Sequence, residues 1–188
     1  MAFKTIKIIF LGEKGSGKSS LISLYLFGRP IMHKKPILFG SYCKTEVIND
    51  KEFQLNLCDT SGEQDFLRLQ SMSYLDADLL VLCVDIAQRG GLKRAEDYAV
   101  KIKDSNVPTV LCLTKIDLES TVEERDIKEF VKKYQMNGSI KSTITDTALI
   151  KDAFEQMIHH ARSNILLKEG SCCNIFKCCS YGYTNHLD

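Results

Sequence analysis

Gly12-Glu13-Lys14-Gly15-Ser16-Gly17-Lys18-Ser19 lies between the apolar run Ile6 to Leu11 and the helical pattern Ser20 to Phe27. The Gly-x4-Gly-Lys-Ser spacing thus falls between a predicted strand and a predicted helix, where a phosphate-binding loop belongs. Without Cβ atoms at Gly12, Gly15 and Gly17 the backbone can curl around an anion, aiming several N–H groups and a helix N-terminus at it. Lys18 adds a mobile positive charge for β- and γ-phosphates, and the Ser19 hydroxyl can ligate Mg²⁺. The pattern implies a nucleoside triphosphate. A Gly-rich turn that only joins strand to helix is the bland alternative.

The 188 residues suit one domain with a full core. A formal net charge of +1 gives no argument for nucleic acid or a broadly anionic partner. The N-terminus runs straight into the first strand without the apolar segment of a secretory signal, and no stretch of about 18 apolar residues occurs. Four of the eight cysteines, Cys43, Cys58, Cys83 and Cys112, lie singly in strand-like segments. There a reduced thiol acts as a small buried hydrophobe, so a reducing, cytoplasmic setting is expected.

Apolar, β-branched runs alternate with helical patterns, which predicts an α/β fold with a mostly parallel, doubly wound, six-stranded sheet and helices on both faces. Lys4 to Leu11, Leu79 to Asp85 and Thr109 to Thr114 read as buried strands. Phe53, Leu55 and Leu57 alternate with polar residues. The cluster Asn49 to Glu52 reads as a hairpin turn, with residues 41–48 as the antiparallel partner. Helical spacing covers Arg94 to Asp104, Val122 to Tyr134 and the stripe Leu149 to Ile165.

Asp59-Thr60-Ser61-Gly62 follows a strand taken to end at Cys58, which puts Asp59 at the sheet's carboxyl edge. A carboxylate there can hold Mg²⁺, and the Gly62 amide can approach a γ-phosphate. Read alone, the same tetrapeptide suits a helix cap. Thr114-Lys115-Ile116-Asp117 follows another strand. Asp117 can accept two hydrogen bonds from guanine, which adenine cannot offer, and the Lys115 stem can cover the base. A solvated turn is the alternative.

With these three motifs in order, the chain resembles a small GTPase of the Ras superfamily over roughly residues 4–166. The run from Asp59 to Leu69, continuing to Ser73-Tyr74, and Thr at 114 are most similar to the Rho branch. The interval from Asp117 to Thr143 leaves no room for the extra Rho helix, and Val84-Asp85-Ile86 is closer to Rab or Ras usage, so the subfamily stays open. The resemblance implies a P-loop NTPase fold and a GTP/GDP switch with Mg²⁺, acting in signalling, membrane traffic or cytoskeletal control. It extends the nucleotide contacts to Ser20 and, in a blurred fifth box, to Thr143 and Ile144. Effectors would meet loops near 33–42 and 62–74, and an exchange factor is implied. Lys18, Glu63 and Gln64 are the candidate catalytic residues.

Several positions depart from the family. In register, Ile37 replaces the threonine whose hydroxyl serves Mg²⁺, and Glu63 replaces the glutamine that orients water, with Gln64 beside it. Like charge at 63 opposes the transition state. Lys14 replaces a small residue and would crowd the space an activating arginine enters. Pro30 stands where an aromatic normally packs on guanine, with Phe27 three residues too early. Slow hydrolysis is therefore expected. A nucleotide-locked or nucleotide-poor interaction module is the alternative.

The predicted G domain spans 1–167, followed by a flexible Cys-rich tail over 168–188. Cys172, Cys173, Cys178 and Cys179 suit reversible palmitoylation, which would place the protein on the cytoplasmic face of a membrane. A zinc site and an unmodified tail compete with that reading. The ending Asn185-His186-Leu187-Asp188 is no prenyl box.

Overall fold

The computed structural model describes residues 4–30, 39–48, 51–62, 74 and 76–177, with Ile165 the last side chain described. Its elements run β1 (Lys4–Leu11), α1 (Lys18–Phe27), β2 (Phe39–Ile48), β3 (Lys51–Thr60), β4 (Leu79–Asp85), α2 (Gly91–Lys103), β5 (Thr109–Thr114), α3 (Glu124–Lys133), β6 (Ser139–Lys141) and α4 (Thr147–Lys177). The six strands order as β2-β3-β1-β4-β5-β6, and only the β2–β3 pair is antiparallel.

Alternation along buried strands divides the core into two layers. Ile6, Ile8 and Phe10 of β1 meet α1 and α4 through Leu21, Ile22, Ala153 and Phe154. Ile9 and Leu11 of the same strand face α2 and α3 through Ala95, Tyr98, Ile127 and Phe130. Strands β4 and β5 are buried throughout, so each reads as a continuous apolar run. The crossover after β1 covers one face and that after β4 the other. The carboxyl ends of these neighbouring strands therefore flank a topological switch point.

Several boundaries differ from expectation. Strand β3 starts at Lys51 and continues to Thr60, so Asp59 lies inside it, paired with Phe10 and with Gly40, instead of following it. Pairing on both edges extends the ladder past the apolar pattern. Helix α1 begins at Lys18, directly after the left-handed Gly17. Helix α2 begins at Gly91 because Gly90, at φ +74°, turns the chain into it. Helix α4 runs to Lys177, past the stripe that ends at Ile165 and past residue 167, where the predicted G domain ends; backbone hydrogen bonding needs no apolar face to continue.

Candidate functional site

The loop after β1 is shaped by its neighbours. A Cβ at Gly12, φ +130°, would lie 2.3 Å from the Cys83 carbonyl oxygen of β4, so only glycine fits. The loop closes on itself through Ser16 N–H donating to Glu13 O at 3.1 Å. Lys18, 4% exposed, donates from Nζ to Gly12 O and Glu13 O, both at 2.8 Å, and to Ser16 Oγ at 3.3 Å. Burial pulls its ammonium below the usual lysine value, against the fields of Cys83, Asp59 and Glu13. Gly15 and Lys14 are exposed on the loop, and Ser19 and Ser20 are half-buried in the first turn of α1.

Asp59 stands beside this loop through its pairing with Phe10, one strand over. It is 2% exposed, and its Oδ1 is sealed from solvent. Thr60 Oγ1 donates to Phe10 O at 2.8 Å, tying the same two strand ends together. Ser19 and Asp59 are oxygen donors of the hard type that Mg²⁺ takes, so the residues present fit that ion. Gly62, φ +70°, is pressed onto the loop: a Cβ there would come within 2.5 Å of Gly12 O and 2.7 Å of Lys14 N.

At the end of β5, Thr114 Oγ1 donates to Ser16 O at 2.8 Å and Val84 O at 3.0 Å, joining the second rim segment to the phosphate loop. The chain then turns at Lys115, φ +60°. Lys115 Nζ reaches Asp85 Oδ2 at 2.6 Å. Asp117, exposed on the turn, accepts a hydrogen bond from Thr143 Oγ1. Thr143 is 4% exposed, and Ser142 before it is anchored by donating its N–H to Leu113 O at 2.8 Å. The blurred fifth motif thus reaches the Asp117 carboxylate through Thr143, while Ile144 points outward at 48% exposure.

Phe27 ends α1 and sets its ring edge against Tyr42 at 6.4 Å, about one helix length from Lys18, roughly 14 Å. Pro30 is exposed. Ile37, Glu63, Gln64, Cys178 and Cys179 lie outside the described residues, and Cys172 and Cys173 are placed only by their helical backbone. Three residues that sequence reasoning did not select join the site: Asp85, Arg94, which donates to Glu13 Oε2 at 2.6 Å, and Tyr98, which donates to Gly62 O at 2.9 Å. Asp85 had a signal, being an acid at the carboxyl end of a buried strand like Asp59. Arg94 and Tyr98 had none beyond helical spacing.

Residues 7–163 match the model of the Ras family. The chain is 38% identical over 85 residues to the Rho-related GTP-binding protein RhoF of Mus musculus, covering 45% of this chain and 40% of that one. It is 33% identical over 121 residues to the GTP-binding protein RHO3 of Saccharomyces cerevisiae, covering 63% and 52%. With the GTP-binding protein RHO4 of the same yeast it shares 28% over 171 residues, covering 86% and 59%. The chain spans about half the length of the relatives it matches.

Proposed function

The chain belongs to the Ras family of small GTPases, with Rho-like relatives, and on that premise we propose that it is a GTP- and GDP-binding switch that hydrolyses GTP slowly. The observation that carries the guanine reading is the Thr143–Asp117 hydrogen bond on the same rim as the Gly12–Ser19 loop. A carboxylate so oriented can take both guanine N–H groups, and a ligand without them would forgo those two hydrogen bonds.

In this reading the loop amides and Lys18 bind the phosphates, and Ser19 and Asp59 would hold Mg²⁺. When bound, the ion supplies charge neutralisation across the phosphate oxygens. Gly62 offers its backbone N–H to the γ-phosphate. Lys115 covers the base with its stem while Asp85 holds its ammonium. Loops near 33–42 and 62–74 present effectors with a surface that depends on the γ-phosphate, and an exchange factor would open the same loops.

Slow hydrolysis rests on three replacements. Ile37 removes a hydroxyl ligand, Glu63 puts like charge where a neutral amide would orient water, and Lys14 fills the approach of an activating arginine. Acylation at Cys172, Cys173, Cys178 and Cys179 would hold the protein on the cytoplasmic face of a membrane, since two or more chains give stable anchoring. Single-turnover hydrolysis by the purified chain tests the central claim. A low rate that rises on restoring Thr at 37 and Gln at 63 supports it; ordinary small-GTPase rates, strongly accelerated by an activating protein, would remove it.

A further inference from the structure

Arg94 and Tyr98 sit one turn apart on α2, so their side chains leave the same helix face. Arg94 grips the phosphate loop: Nε donates to Glu13 Oε2 at 2.6 Å, and Nη1 donates to Arg89 O at 2.9 Å, which fixes the guanidinium's direction. Tyr98, 2% exposed, grips the start of the second switch by donating its hydroxyl to Gly62 O at 2.9 Å. The two grips act on one contact. A Cβ on Gly62 would lie 2.5 Å from Gly12 O, 2.7 Å from Lys14 N and 2.8 Å from Glu13 C, so residues 12–14 and 62 already touch.

The charge on Glu13 reaches both parts of this arrangement. It opposes the burial that lowers the Lys18 ammonium, and it adds to the burial that raises the Tyr98 phenol. Arg94 is the cation paired with that charge.

We propose that Arg94 and Tyr98 form a two-point clamp that sets the preference between guanosine triphosphate and diphosphate; this rests on the guanine-nucleotide reading above. The γ-phosphate is the group that Gly62 N–H would meet, so the distance from Gly62 to the loop matters to the triphosphate alone. Releasing the Gly62 carbonyl frees that amide from its register. Removing Arg94 leaves the Glu13 carboxylate uncompensated beside a polyanion, and the repulsion grows with the ligand's charge. Both are positioning residues, acting through Glu13 and Gly62.

Titration of the full chain in Mg²⁺ with fluorescent GDP and with a non-hydrolysable GTP analogue tests the clamp. Tyr98→Phe is expected to weaken the triphosphate about fivefold and leave GDP nearly unchanged. Arg94→Ala should cost the triphosphate about threefold more than GDP, since the ion pair is partly exposed. Adding Glu13→Gln to Arg94→Ala should restore the ratio, and Glu13→Gln alone should shift it toward the triphosphate. A merely structural role would weaken both ligands alike and gain nothing from the second substitution. Unchanged ratios in Tyr98→Phe, in Arg94→Ala and in Glu13→Gln alone overturn the clamp. A wild-type chain that takes up neither nucleotide overturns the guanine reading and the clamp with it.

Discussion

The Lys115 ammonium is held 2.6 Å from the Asp85 carboxylate, across the ends of two neighbouring parallel strands. Asp85 is the more buried partner, at 11% side-chain exposure against 36% for Lys115. The carboxylate also accepts the Ala87 N–H at 3.0 Å, so it is fixed before the lysine arrives. An anchored ammonium holds the aliphatic stem over the base site, and a lysine that swept freely would lose rotamer entropy on each binding event.

Asp85→Asn keeps the shape and removes the charge. Because the pair is partly exposed, nucleotide release should accelerate only about two- to fivefold at low salt. The difference should shrink as ionic strength rises. Stopped-flow release of labelled GDP at two salt concentrations measures it; wild-type release at low salt would exclude a role for Asp85.

Thr143→Val removes the hydroxyl that donates to Asp117 and preserves the volume. One net hydrogen bond is worth about 0.5–1.5 kcal/mol, so guanine binding should weaken several-fold. GDP should suffer more than IDP, which lacks the exocyclic amine that an oriented carboxylate accepts. An unaltered GDP to IDP ratio, measured by calorimetry, argues against Thr143 as the orienting group.

Gly62→Ala meets two obstacles, a φ of +70° and a Cβ that would strike Gly12 O and Lys14 N. Such backbone strain costs about 1–3 kcal/mol. The expected relief is movement of residue 62 away from the loop, with triphosphate affinity falling about tenfold or more. Triphosphate binding at wild-type strength would show that Gly62 is not needed at that spacing.

Alkaline stability reports on the same region. Burial pushes the phenols of Tyr74 and Tyr98 up to about 12, with fields from Tyr98, and from Glu13 and Asp97, adding respectively. The unfolded chain ionises these groups near 10.0, so the folded state holds more protons in between. Their contribution is complete below pH 10 and is lost as pH rises through about 12. Lys18, lowered by burial, has the opposite sign and finishes its gain by its ordinary 10.5. Urea midpoints above pH 10.5 should therefore fall steadily, less steeply in Tyr98→Phe. A flat midpoint there would contradict the tyrosine burial.

The comparison of sequence with structure turns on particular residues. Strands β4 and β5 were legible to the residue because they are buried at every position, and β1 matched its expected bounds although Lys4 and Thr5 at its start are exposed and Lys7 interrupts its apolar run. Strand β3 was legible only in its amphipathic half; Asp59 and Thr60 belong to it because Gly40, Phe39 and Phe10 pair with them, and partners distant in sequence leave no local pattern. Among site residues, the phosphate loop, Asp59, Lys115 and Asp117 carried their chemistry in contiguous motifs. Asp85, Arg94 and Tyr98 did not, since their partners lie 30, 81 and 36 residues away.

Local covalent order was enough to determine that a glycine-rich loop stands between a strand and a helix and that strands alternate with helices, because backbone freedom and apolar periodicity act over a few neighbours. Tertiary packing alone decided that Thr143 meets Asp117, that Asp85 restrains Lys115, and that one face of α2 grips both Glu13 and Gly62. Those contacts depend on strand order and register, which bring separate segments within hydrogen-bonding range only once the sheet has assembled.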